Sequence, residues 1–200
     1  MKNFILNQIK NSYEIKKSIY DNLELIGTIQ KVCEIIIQAY KRGNKTLIAG
    51  NGGSAADAQH MAAEFVNRFY FDRPALSSIA LTTDTSILTA ISNDCGFEKV
   101  FARQIESNGV EGDVFIGIST SGNSKNIIEA LKVCKEKGMV TVGLTCESGG
   151  RMEEFCDYCI KIPSKETPRI QESHILIGHI ICAAVEEAIY GKGFGLAKRG

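Results

Sequence analysis

Thr46-Leu47-Ile48-Ala49-Gly50-Asn51-Gly52-Gly53-Ser54 runs on through Ala55-Ala56-Asp57-Ala58-Gln59-His60-Met61-Ala62-Ala63-Glu64 to Arg68. An apolar run halts at a glycine turn, and helical spacing begins at Ser54. His60 and Glu64 stand i,i+4, so both side chains leave one face of that helix a turn apart. A strand, a glycine loop and an opening helix together suit an anion. An imidazole and a carboxylate one turn further in form a metal-ligand pair or an acid/base pair. One short element thus carries an anion site and proton chemistry, which points to an enzyme acting on a small phosphorylated metabolite.

Outward from this stretch the periods alternate. Apolar, β-branched runs at 46–49, 78–81, 114–118, 139–144 and 158–162 are separated by helical patterns at 54–69, 85–92, 97–107, 124–137 and 150–155, and a long one closes at 169–190. Strands that are apolar throughout and separated by helices predict a parallel sheet covered on both faces. With right-handed crossovers this gives an α/β fold, a three-layer doubly wound domain on five strands. Ahead of it, residues 1–43 carry helical spacing in Phe4, Ile5, Ile9, Tyr13, Leu23, Ile26, Ile29, Cys33, Ile36, Ile37 and Tyr40, with an interruption near Asp21-Asn22. So much apolar surface exceeds what one sheet face can cover, and part of it reads as an oligomer contact. No linker or repeat appears, so residues 1–200 read as a single domain with its α/β core at 44–192.

Two more stretches carry chemistry. Val114-Phe115-Ile116-Gly117-Ile118 runs straight into Ser119-Thr120-Ser121-Gly122-Asn123-Ser124, five hydroxyl or amide side chains in six positions. A helix cap needs one such residue. The excess reads as a phosphate site that needs no cation, aided by the dipole of the helix beginning near Ser124. Asn51-Gly52-Gly53-Ser54 alone would be a tight turn with a serine cap, since neither full dinucleotide spacing nor a P-loop lysine is present. The final helix holds Arg169-Ile170-Gln171-Glu172-Ser173-His174 and His179 in an apolar stretch. Periodicity cannot choose between His174 and His179 as the partner of Gln171. Ser92-Asn93-Asp94-Cys95-Gly96 is a helix stop or a polar contact, and Arg68 serves a phosphate or a surface ion pair.

Composition narrows the field. Hydrophobic residues make up 44% and charged residues 23%, and 23 basic side chains balance 23 acidic ones, so nothing supports a basic face for nucleic acid. No apolar run approaches the roughly 20 residues that span a bilayer. The first ten residues do not read as a signal peptide, and cytoplasmic location is the expectation. Seven cysteines, an odd number, read as reduced thiols, with Cys156-x-x-Cys159 an incidental pair that lacks the second pair a zinc site needs.

Taken together, Gly50-Asn51-Gly52-Gly53-Ser54, Asp57-Ala58-x-His60-x-x-x-Glu64, Asn93-Asp94-x-Gly96-Phe97, Ser119 to Ser124 and Arg169-Ile170-Gln171-Glu172-x-His174-x-x-x-x-His179 resemble the sugar isomerase (SIS) domain family, specifically the phosphoheptose isomerases. The resemblance spans residues 45 to 190 and implies a flavodoxin-like sheet. It also implies isomerisation of the sugar phosphate D-sedoheptulose 7-phosphate to D-glycero-D-manno-heptose 7-phosphate through an enediol, feeding bacterial surface heptose synthesis. A homotetramer with one zinc per subunit is expected. Ser119, Thr120, Ser121 and Ser124 would hold phosphate, and Asn51, Gly52, Gly53, Ser54, Asn93 and Asp94 would line the sugar, with Arg68 also at the substrate. His60, Glu64, Gln171 and His179 would form the metal site, with Gln171 also a substrate contact and Glu64 and His179 the catalytic pair. The rivals are isomerisation of another sugar phosphate and a non-catalytic relative that senses sugar phosphates or binds a replication initiator. The presence of both Glu64 and His179 favours catalysis.

Overall fold

The computed structural model describes residues 1–192; residues 193–200, the tail of the expected single domain, lie outside the described residues. Strands β1 (Thr46–Gly50), β2 (Ser78–Ala80), β3 (Val114–Ile118), β4 (Val140–Cys146) and β5 (Tyr158–Ile162) form one sheet in the order β2-β1-β3-β4-β5, every pair parallel. Side chains alternate between two cores. Ile48, Ile116, Val142, Leu144 and Ile160 enter one, while Leu47, Ala49 and Phe115 enter the other. Helices α2 (Leu23–Lys41), α3 (Gly53–Val66) and α7 (Thr167–Tyr190) cover the first face, and α5 (Ala102–Asn108) and α6 (Lys125–Glu136) the second. This is the expected three-layer arrangement in flavodoxin-like order, and its switch point lies between β1 and β3.

The opposite edge of these two strands is pinned. Buried Asp113 accepts from Lys45 N at 3.0 Å, Val110 N at 3.0 Å, Asn44 Nδ2 at 3.2 Å and Lys45 Nζ at 2.6 Å. Burial pushes this carboxyl's pKa up, but the donors outweigh it and hold the group below the usual carboxylate range.

Some element bounds differ from the expected ones. Gly96, at φ +88°, ends α4 (Thr85–Cys95), and the pattern at 97–107 is not one helix but a 3-10 turn, Phe97–Lys99, followed by α5. The pattern at 150–155 is a 3-10 turn, Arg151–Phe155, the geometry usual for so short a piece. Helix α3 stops at Val66, short of residue 69.

At the N-terminus, the expected interruption is a cap. The Asn22 side chain accepts from Leu25 N at 3.0 Å, starting α2 immediately after α1 (Lys2–Asp21). The two helices divide the apolar surface unequally. Helix α2 buries Leu25, Ile29, Val32, Cys33, Ile36, Ile37 and Ala39, whereas α1 buries only Ile19 and leaves Phe4 and Ile9 more than 60% exposed.

Helix α7 has 24 residues and an 18-residue window of mean hydropathy 1.2, long and apolar enough to cross a membrane by length and composition alone. It is instead the central helix of its layer, packed on α2, α3, β4 and β5 with Ser173, His174 and Glu186 fully buried. The His174 ring donates from Nε2 to Thr145 O at 3.2 Å, and burial pushes its pKa down to about 4. An unfolded histidine titrates near pH ~6.5, so the unfolded chain binds the extra proton first as pH falls. The His174 contribution to stability is therefore complete above pH ~6.5 and declines toward pH ~4, a loss on the order of 3 kcal/mol. Urea midpoints measured from pH 7 to 4.5 are expected to fall more steeply in the unaltered chain than in His174→Leu. Parallel profiles would contradict this account.

Candidate active site

At the switch point two strand–turn–helix junctions sit side by side. After β1, Gly52 adopts φ +56° and caps α3, which begins at Gly53 without a side-chain cap. Ser54 is therefore not the cap that its position suggested. It is buried in the first turn, and its backbone lies so close to Gly50 that a Cβ there would stand 2.5 Å from the Ser54 carbonyl oxygen. After β3, Ser124 caps α6 through its backbone, but its side chain makes no cap bond; Ser124 Oγ pairs with Ser119 Oγ at 2.8 Å. Both helices thus present first-turn N–H groups without side-chain caps, which favours anion binding over simple capping.

The hydroxyl loop is braced by main chain. Gly122, at φ +66°, lies against Gly149, where any Cβ would overlap the Gly149 carbonyl oxygen, and a Cβ on Gly150 would stand 2.6 Å from Ser121 O. Met152 N donates to Gly122 O at 2.9 Å, and Arg151 N to Asn123 Oδ1 at 3.1 Å. Ser121 Oγ accepts from Asn123 N at 3.1 Å. A cavity of 340 Å³ beside Thr120 and Ser121 includes Lys165, and one of 240 Å³ between Asn51 and Ser124 includes Lys125. The loop's composition needs no cation to hold an anion, and the fold nonetheless brings Lys165 and Lys125 to the two cavities beside it.

Asn126 was also missed. Its amide forms a reciprocal pair with Asn51, Asn51 Nδ2 to Asn126 Oδ1 at 3.0 Å and Asn126 Nδ2 to Asn51 Oδ1 at 2.8 Å, tying the two junctions together. The signal was a single polar residue, 3% exposed, on the buried face of α6 beside Ile127 and Ile128.

The third component comes from α7 crossing α3. His60 Nε2 lies 3.2 Å from Glu64 Oε1 and 3.4 Å from His179 Nε2, and the two imidazoles meet edge to face. The choice between the two α7 histidines is thereby resolved: His179 faces His60, while His174 is in the core. Asp57, one turn before His60, has a buried Oδ2 with no hydrogen-bond partner. Burial raises its carboxyl pKa, opposed by the nearby His60. Gln171 reaches the start of α3, where a Cβ on Gly53 would stand 2.8 Å from its Nε2. Among the described residues, no three or more His, Cys, Asp and Glu side chains are gathered into a ready metal cage. Asn93 and Asp94 stand apart on the last turn of α4, exposed and bonded to each other at 2.7 Å. Arg68 is exposed just beyond the end of α3. The seven cysteines are free thiols, and Cys156 and Cys159 both lie against Gly143.

Residues 10–146 match the SIS domain family. Over 194 residues the chain is 64% identical to the phosphoheptose isomerase of Aneurinibacillus thermoaerophilus, covering 97% of this chain and 98% of that one. The chain belongs to the phosphoheptose isomerases of the SIS domain family. Another relative in this family, phosphoheptose isomerase 2 of Campylobacter jejuni, is 63% identical over 97% of this chain and 96% of its own. The solved phosphoheptose isomerase of Neisseria gonorrhoeae superposes with a TM-score of 0.87 at 40% identity, covering 93% of this chain and 98% of that one. Within this SIS fold the contact of Gly53 with Gln171 is open to a direct test. Gly53→Ala places its methyl against the mobile end of a side chain. The thermal midpoint is expected to stay within a few degrees while a crystal structure shows the Gln171 amide displaced. An unmoved amide would contradict the contact.

Proposed function

We infer that this chain is an aldose–ketose isomerase that interconverts D-sedoheptulose 7-phosphate and D-glycero-D-manno-heptose 7-phosphate in heptose synthesis. Near-full-length identity to phosphoheptose isomerases supports the substrate. The observation that carries the chemistry is the meeting of Glu64, His60 and His179 where α7 crosses α3, the helix that opens at the switch point.

The reaction moves one proton between C1 and C2 and another between O1 and O2. Glu64 takes the C1 proton of the ketose, leaving an enediol, and returns it to C2 on the same face. His179, across the cleft on α7, exchanges the proton of O1 and O2. Thr120, Ser121 and Ser124, with the N-terminus of α6, hold the phosphate, and Lys125 and Lys165 add positive potential at its rim. Ser119 acts through its bond to Ser124. Asn51, Gly52, Gly53 and Ser54 line the sugar, with Asn51 held by Asn126; Asn93, Asp94 and Arg68 would join from the exposed rim.

The residues present suit zinc in type, two imidazoles and a carboxylate, and His60 stands 3.2 Å from Glu64 and 3.4 Å from His179. His60, Glu64, His179 and the Gln171 amide would hold the ion, which would polarise the substrate oxygens. Coordination would lower the basicity of Glu64, so its service as ligand and as base must be balanced by the site. Self-association, as the homotetramer reading requires, is supported by the outward apolar residues of α1, Phe4, Ile5, Ile9 and Tyr13. Sedimentation of the purified chain reads the assembly directly.

Purified protein is expected to turn over sedoheptulose 7-phosphate in an assay coupled to a heptose 7-phosphate kinase. Glu64→Gln should lower kcat by about a hundredfold or more without loss of fold; retained turnover would remove Glu64 as the base. The double change of Ser121 and Ser124 to Ala should raise KM by about tenfold or more with kcat little altered. An unchanged KM would mean that the loop only shapes a turn.

A further inference from the structure

Glu186 lies on α7 two turns beyond His179 and on the same face, a spacing of seven residues. It is fully buried, and a buried carboxylate must be matched by donors. Three are present: Phe69 N at 2.7 Å, Tyr70 N at 2.6 Å and Arg73 Nε at 3.0 Å. The Arg73 side chain is as deeply buried, at 1% exposure. Its other two nitrogens turn to α3, where Nη1 donates to Phe65 O at 2.7 Å and Nη2 to Glu64 O at 2.8 Å; Nη1 also reaches Pro74 O at 3.0 Å. One planar guanidinium thus satisfies carbonyls that the end of α3 leaves open, including that of Glu64 itself. On the other side of the pair, Phe69, held by Glu186 through its N–H, sets its ring 5.5 Å from the His179 ring.

We propose that Arg73 and Glu186 are a positioning pair that sets the register of α3 against α7, and so the reach between the Glu64 carboxylate and the His179 imidazole. The inference rests on the reading of His60, Glu64 and His179 as the reacting set. Neutralising Glu186 would need only a cation, which lysine supplies. Joining Glu186 to two successive carbonyls of α3 needs the flat fork of arginine. Neither residue touches the substrate. Their effect passes through the backbone of Glu64 and the ring of Phe69, and a displacement of about 1 Å at reacting groups costs on the order of a hundredfold in rate.

Arg73→Lys separates the two roles, because it keeps the charge and loses the fork. We expect kcat on sedoheptulose 7-phosphate to fall at least about tenfold with KM within about twofold, and a crystal structure of the variant to show the His60–His179 separation opened beyond hydrogen-bond range. A lowered melting temperature with unchanged kcat and an unchanged separation would make the pair a clamp for the loop alone and overturn the proposal. If Arg73→Lys does not fold, Phe69→Leu leaves every bond of the pair in place and removes the ring beside His179. A several-fold fall in kcat at constant KM is then expected, and an unaltered kcat overturns the proposal. An unaltered chain that fails to turn over this sugar phosphate would overturn the functional reading alone, because the crystallographic separation in Arg73→Lys still decides the positioning role.

Discussion

The parallel pairing of β1 with β3, five residues in register from Thr46↔Val114 to Gly50↔Ile118, is the constraint on which the remaining structure depends. These strands are adjacent in the sheet but not in the sequence, so the chain leaves them in opposite directions, through α3 toward β2 and through α6 toward β4. Divergence opens a crevice at their carboxyl ends. Asp113 closes the other end with a buried carboxylate on four donors, so the pair cannot slide without stranding them. The glycine turn at Asn51 and the hydroxyl loop at Ser119–Ser124 both hang from the two strand ends that this pairing brings level.

The third wall has a different origin. Helix α7 arrives last in the chain and lies across α3, so the His60–His179 juxtaposition is a tertiary contact between helices rather than a property of either junction. Packing of apolar side chains such as Ile177, Ile181 and Met61 brings the helices together, yet such contacts tolerate small shifts that proton transfer does not. Buried polar bonds with fixed lengths narrow that freedom, which explains why hydrophilic groups occupy an otherwise apolar layer.

How much was legible in the sequence follows from which interactions are local. The five strands were readable because burial on both faces leaves apolar runs, and the His60–Glu64 pair because i,i+4 spacing is a short-range relation. The hydroxyl loop was readable from the excess of Ser and Thr over a capping need. Periodicity could not choose between His174 and His179, a choice the family resemblance made, because it turns on which side of α7 meets the sheet. A helix apolar on most of its circumference conceals that in its periodicity, and the same quality gave α7 a membrane-like composition that sequence reading had passed over. Asn126 looked like an ordinary first-turn residue, since its partner lies 75 positions away, and the Arg73–Glu186 bond spans 113. The 97–107 pattern spans a 3-10 turn and a short helix, a division that apolar spacing does not distinguish from one continuous helix.

The main-chain brace on the hydroxyl loop bears on how this protein can change over generations. Gly122 meets Gly149 and Gly150 with no side chain between them. The loop's height above the sheet is therefore set by peptide thickness, a quantity that substitution at surrounding positions leaves untouched. Neighbouring side chains can drift while the hydroxyl loop stays anchored at one point. Mutational tolerance around such an anchor is wide, and intolerance is concentrated in three glycines.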